Sequence, residues 1–156
     1  MKNEQIREFT LRITQSNRSE LIVVLYEIME TYLNEAMERE AYSEWKEAVR
    51  NASRVVFELQ GALDMQYEIA GELNVIYDFL GRALEMAVVR KNKEELPRLY
   101  RMVDSLKETF EKVAETDTSP ALMRNTEQVY AGLTYGKTDL VEQSGETSLA
   151  GRGFFA

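Results

Sequence analysis

The chain contains no cysteine, no histidine and only two prolines in 156 residues. Without cysteine there is no disulfide framework, no thiolate nucleophile and no cysteine-bound zinc. Without histidine the commonest general base is missing. So are the Ser-His and Cys-His dyads and the Glu-x-x-His motif of di-iron helical bundles. An all-carboxylate site is the remaining catalytic option, yet spacing forces no Asp or Glu into a cluster. These absences point away from an enzyme and call for no metal or cofactor. No stretch nears the roughly 18 apolar residues of a membrane span, and the N-terminus lacks the apolar core of a signal peptide. A cytoplasmic protein without membrane insertion is expected. Acidic residues outnumber basic ones 27 to 19, giving a net charge of -8, which opposes binding to nucleic acid or anionic lipid.

What is present is helix-forming sequence. Proline first occurs at Pro97, then at Pro120, and no alternating strand pattern survives. The periodicity predicts a short helix over 3–15 with Ile6, Phe9 and Ile13 on one stripe. Asn17 and Glu20 then form a capping box for a second helix reaching about Arg39. Ser43 is expected to cap the third, with Trp45, Val49, Ala52, Val56, Leu59 and Leu63 as its stripe and Gly61 and Asp64 near its end. The fourth covers about 66–90, its core stripe being Ile69, Leu73, Ile76, Leu80, Leu84 and Ala87. A second capping box, Asn92 and Glu95, precedes the fifth, with Pro97 in its first turn or so and a stripe of Leu96, Leu99, Val103, Leu106, Phe110 and Val113.

Four long amphipathic helices joined by short polar loops imply an all-α fold, an antiparallel up-down four-helix bundle. A short N-terminal cap helix lies against it, and a flexible C-terminal tail follows. Residues 1–117 make the bundle, with the cap at 1–16, and residues 118–156 make a short helix and a flexible tail. The tail holds five of the eight glycines and apolar points at Tyr130, Leu133, Tyr135, Leu140, Phe154 and Phe155. It is either a mostly disordered end or a strap that folds back on the bundle.

Apolar surface exceeds what four stripes need. Leu21 to Tyr26 are six consecutive apolar residues, which at about 100° per residue point in every direction. Ile22, Tyr26, Met29 and Leu33 form a flank on the second helix. Val75, Phe79, Met86 and Val89 form a second stripe on the fourth, interrupted by Arg82. Such width suits a helix packed between two neighbours. It equally suits an exposed groove that accepts amphipathic segments from a partner, with Ile22, Tyr26, Met29, Val75, Phe79 and Met86 as the candidate docking residues. Gly71 and Gly81, each costing on the order of 1 kcal/mol inside a helix, are read first as points of close helix approach and second as a local bend or a place where a partner helix lies against the backbone.

The order of these features resembles the flagellar secretion chaperone family FliS. The capping residues run into Glu20-Leu21 and then Leu25-Tyr26-Glu27. Leu63-Asp64, Glu68-Ile69-Ala70, Leu73, Ile76-Tyr77-Asp78-Phe79-Leu80, Arg82 and Leu84 look like the family's central segment. Leu99, Val103, Leu106 and Phe110 fall where its last helix should be. Asn17-Arg18-Ser19 stands where the family usually has Ser-Pro-Gly. The resemblance implies a cytosolic chaperone that binds the disordered C-terminal segment of flagellin, prevents premature polymerisation and aids delivery to the export gate. It also implies an export-gate component or a co-chaperone as further partners, no cofactor, and an N-terminal segment (Ile6, Phe9, Ile13) that covers part of the groove in the free form. The reading that competes with it is a structural or regulatory bundle that self-associates through the same surface and has no flagellin client.

Overall fold

The computed structural model describes residues 1–123, of which Met1–Leu122 form one compact unit. Among the described residues all regular structure is helical: α1 Asn3–Gln15, α2 Arg18–Glu38, α3 Tyr42–Gly61, α4 Glu68–Val89 and α5 Leu96–Thr116. Beyond residues 121–123, which are not helical, the short helix expected in the tail and the tail's apolar points lie outside the described residues.

Local chemistry sets most boundaries. The capping box before α2 forms as expected: Asn17 Oδ1 accepts from the Glu20 amide at 2.9 Å, and Glu20 Oε2 accepts from the Asn17 amide at 2.9 Å. Two predicted caps do not form. The third helix starts one residue before Ser43, because Tyr42 is already anchored: its hydroxyl donates to the Val88 carbonyl at 3.0 Å and its ring meets Trp45 edge-on at 5.0 Å. Asn92 caps a turn rather than a helix, its Oδ1 accepting from the Glu94 amide at 2.9 Å, and α5 begins behind Glu95 with no side-chain cap. Pro97 sits in the first turn, where its missing N–H is harmless.

The α4–α5 turn closes by a Schellman arrangement, with the Asn92 amide on the Ala87 carbonyl at 3.0 Å and the Lys91 amide on Val88 at 3.1 Å. Lys91 takes the left-handed conformation, φ 50°, that this motif usually reserves for glycine. In the same turn Lys93 Nζ donates to the Met37 and Arg39 carbonyls at 3.1 and 2.6 Å, closing the end of α2, which has no basic residue in its own last turn.

Cross-helix bonds fix directions. Asn17 reaches Asp117 and Ser119, Glu30 meets Lys107, and Met37 meets Lys93, so α2 and its partner α5 run antiparallel. Gln60 bonds Asn74 and Tyr42 bonds Val88, so α3 and α4 do the same. Arg12 pairs with Glu27 and the Met1 amine with Glu35, so α1 runs antiparallel along α2. Helix α2 packs extensively against α3 and α5, and α3 packs against α4, whereas α4 and α5 touch sparingly.

The core is built from Tyr26, Met29, Leu33, Val49, Val56, Leu80, Leu84, Leu96, Leu99 and Val103, all almost wholly buried. At its centre the Tyr26 and Tyr77 hydroxyls share a 2.5 Å hydrogen bond between α2 and α4, and the Tyr26 ring also packs at a tilt against Phe110, centroids 5.6 Å apart. Burial of both rings pushes both phenols above their ordinary pKa. Three stripe positions depart from expectation, Ile6 on α1 among them. Ile69 is exposed, because α4 starts only one residue earlier and its buried arc passes through Ala70 and Tyr77 instead. Val113, near the end of α5, is exposed.

Candidate docking surface

The outer face of α4 carries an exposed apolar stripe. At about 100° per residue, Val75, Phe79 and Met86 fall within roughly 40° of one another, and buried Leu84 lies about 180° from Val75. The stripe therefore faces directly away from the core. Val75 is 69% exposed, Phe79 44%, Met86 41% and Val89 64%. Arg82 sits in the stripe, held by Asp78 one turn back at 2.6 Å, which keeps a charge at its middle without closing it. Gly71 lies on the same side.

Neither helical glycine is explained by close packing. A Cβ at Gly71 would meet nothing within 4 Å, and one at Gly81 would meet only Val56 Cγ1 at 4.0 Å, an ordinary contact. The expected close helix approach is absent. At Gly71 the chain offers bare helix backbone instead.

Two open grooves flank the stripe. Between α4 and α5, Ile76, Met102, Leu106, Ser105, Arg98 and Arg101 line a groove of about 410 Å³. Between α3 and α4, Gln60, Tyr77, Asp78, Gly81, Arg82 and Met86 are among the residues lining another of about 410 Å³. The first follows from the sparse α4–α5 packing, which leaves the side chains of both helices uncovered along their shared seam.

The sequence-predicted docking residues divide by helix. Val75, Phe79 and Met86 stand together on the α4 face. Tyr26 and Met29 do not join them: both are fully buried, because α2 is covered by α1, α3 and α5 at once, and its wide apolar arc is consumed by them. Ile22 is half-buried against the core. The α2 flank is thus largely interior, and the exposed candidates are those on α4. Sequence reasoning passed over Phe57 on α3, at 74% the most exposed large apolar side chain among the described residues, and the arginines of the α4–α5 seam. A single phenylalanine outside any stripe gave no periodic signal.

The N-terminal helix lies on α2. Phe9 and Ile13 are half-buried and Ile6 is exposed, so apolar contact is modest. Ion pairs supplement it: Arg12 makes a two-pronged contact with Glu27, and the Met1 amine meets Glu35 at 2.7 Å. Arg12, Ser16, Glu20, Val23, Val24 and Glu111 border a groove of about 650 Å³ where α1, α2 and α5 meet.

That corner is also where the chain leaving α5 is fastened. Buried Asn17 donates from Nδ2 to the Asp117 carbonyl at 3.1 Å and the Ser119 carbonyl at 3.3 Å. Ser19 Oγ donates to Asp117 Oδ2 at 2.5 Å, and the Leu122 amide donates to the Ser16 carbonyl at 3.0 Å. Hydrogen bonds from Ser119 and Ser19 hold the Asp117 carboxyl at about 2. Midway along α2, nearly buried Glu30 pairs with Lys107 at 2.8 Å, leaving its second oxygen unbonded. Burial raises the Glu30 pKa against the opposing pull of Lys107.

Among the described residues no group of carboxylates is placed to hold a metal ion, and no helix is long and apolar enough to cross a membrane. The family model described as flagellar protein FliS matches residues 1–117. No curated protein matches the chain.

Proposed function

We propose, because the chain belongs to the FliS family of flagellar proteins, that it is a cytoplasmic export chaperone whose client is the C-terminal segment of flagellin. Family membership itself implies a flagellar export chaperone. The client, its docking face and the mode of release are our reading. In it, α2 to α5 act as an antiparallel four-helix bundle within residues 1–117, α1 is a displaceable cap on α2 rather than on the α4 face, and residues 118–156 are an accessory tail. The bound client is kept from polymerising early and is handed to an export-gate component or to a co-chaperone. No chemistry on the client is required, so the protein works as a binder rather than an enzyme.

One observation carries the docking face: four large apolar side chains on α4 point directly away from the core. A disordered amphipathic segment that folds on contact can lay its apolar stripe along such a face, in the manner of helix-in-groove recognition. Burial on both sides would favour binding by about 25 cal/mol per Å² gross, less the cost of ordering the segment. Gly71 gives a partner helix room to approach. Methionine suits the task as well, since Met86 adapts to an imperfect fit.

The test is Phe79→Asp. Covering the exposed 44% of a side chain of about 200 Å² removes roughly 90 Å² from water, worth about 2 kcal/mol. The variant should bind a flagellin C-terminal peptide about 30-fold more weakly, with an unchanged helical spectrum. Unchanged affinity would remove α4 from the site. If the exposed stripe instead joins two copies of the chain, Phe79→Asp would convert a dimer to a monomer, and the self-associating reading would replace this one.

A further inference from the structure

The groove between α4 and α5 differs in charge from the other described grooves. Its floor is Ile76, Met102 and Leu106, and the only charged side chains lining it are Arg98 and Arg101. Carboxylates line each of the others: Glu20, Glu111 and Glu115 at the α1–α2–α5 corner, Asp78 and Glu85 between α3 and α4, and Glu35 in the two grooves beside Met1. In a chain of net charge -8, an apolar floor with a purely cationic edge is a local reversal of the field. The two arginines are also available. Arg101 makes no ion pair with any described residue, and Arg98 has only an exposed contact with Glu95 at 3.4 Å.

We infer that this seam is a slot for an amphipathic helix that carries carboxylates beside its apolar stripe. Ile76, Met102 and Leu106 receive the stripe, and Arg98 and Arg101 receive the carboxylates. The two arginines stand three residues apart on α5, about 4.5 Å along its axis, so carboxylates three or four apart on the incoming helix meet them in register. Guanidinium suits the role, because its planar fork grips a carboxylate through two parallel hydrogen bonds. The slot exists because α4 and α5 pack sparingly, so a helix can seat there without first breaking a well-packed contact. Only the identity of the occupant, a helical part of the client, depends on the chaperone role proposed above. Rim charges of this kind set partner choice and association rate more than raw affinity.

The slot can be tested with two synthetic helical peptides of equal helicity. They share one Leu and Ala stripe and differ only in flanking Glu or flanking Lys. Net charge alone would favour the Lys peptide, so the opposite preference isolates the slot. Calorimetry with the full chain should show the Glu peptide binding at least about 10-fold more tightly (roughly 1.4 kcal/mol), with the advantage shrinking at high salt. The exposed double variant Arg98→Glu/Arg101→Glu, checked for folding by circular dichroism, should reverse the order. Equal affinities, a preference for Lys, binding of neither peptide, or a preference that survives the double variant would each overturn the inference. A flagellin peptide titrated in parallel separates the two ideas: if it binds while the probes are not discriminated, the slot fails and the chaperone role stands. Selective probes with no flagellin binding would mean the reverse.

Discussion

Asn17 does two jobs that can be measured apart. Its Oδ1 caps α2 through the Glu20 amide, and its Nδ2 holds the chain leaving α5 through the Asp117 and Ser119 carbonyls. Asn17→Ala removes both. Loss of the cap costs about 1 kcal/mol. Loss of two amide-to-carbonyl bonds costs about 0.5–1.5 kcal/mol each, the 3.3 Å bond to Ser119 at the low end. The sum is roughly 2–3 kcal/mol, a large part of the stability of an ordinary domain. Asn17→Ser keeps a cap oxygen but is too short to reach residues 117 and 119, so it should lose only about 1–2 kcal/mol. Urea unfolding followed by helical circular dichroism gives both values, with the slope expected to stay constant. Hydrogen exchange adds a local readout: amides of α1 and of residues 117–122 should lose protection together in Asn17→Ser. Full recovery of stability by Asn17→Ser would show that the clasp contributes nothing. A loss below about 0.5 kcal/mol in Asn17→Ala would refute the account of this corner altogether.

Two further perturbations follow from charged side chains. The folded Asp117 carboxyl is held near 2, below its ordinary 3.8, so its contribution is complete above the ordinary value and is lost as pH falls from about 4 toward 2. Asp117→Asn should flatten that part of an acid-unfolding profile, and an unaltered profile would contradict the Ser19 and Ser119 bonds. Lys107→Met strands the buried Glu30 carboxylate and should cost roughly 3 kcal/mol at neutral pH, whereas Glu30→Met/Lys107→Met should recover most of it. A double variant as unstable as the single one would mean that the pair is not what Lys107 supports.

Much of the helical frame could be read from residues alone. The capping box at Asn17 and Glu20, the absence of proline before Pro97 and the three-and-four spacing located all five helices to within a few residues. Side-chain chemistry acting over long distances was not readable. Tyr42 starts α3 early because it bonds to Val88, 46 residues away, and Lys93 closes a helix that ended 55 residues before it. Which of the candidate docking residues stay exposed was legible for one helix and not the other, for one physical reason. Helices α2 and α4 both carry apolar arcs wider than one core face needs, and a helical wheel cannot count neighbours. Helix α2 has three, so Tyr26 and Met29 vanish into the interior, while α4 is packed well by α3 alone, so Val75, Phe79 and Met86 stay outside. The glycines misled for a related reason. A wheel shows that Gly71 lacks a side chain but not whether anything stands opposite, and in the folded chain nothing does.

The central claim is that the surplus apolar surface serves a client. The most direct measurement is calorimetric titration of the purified chain with a peptide of about the last 40 residues of flagellin from its own organism, at several temperatures. The account predicts one-to-one binding with a negative heat-capacity change, the mark of apolar burial. Absence of binding, with the chain dimeric in the same sample, would contradict it and assign the α4 face to self-association.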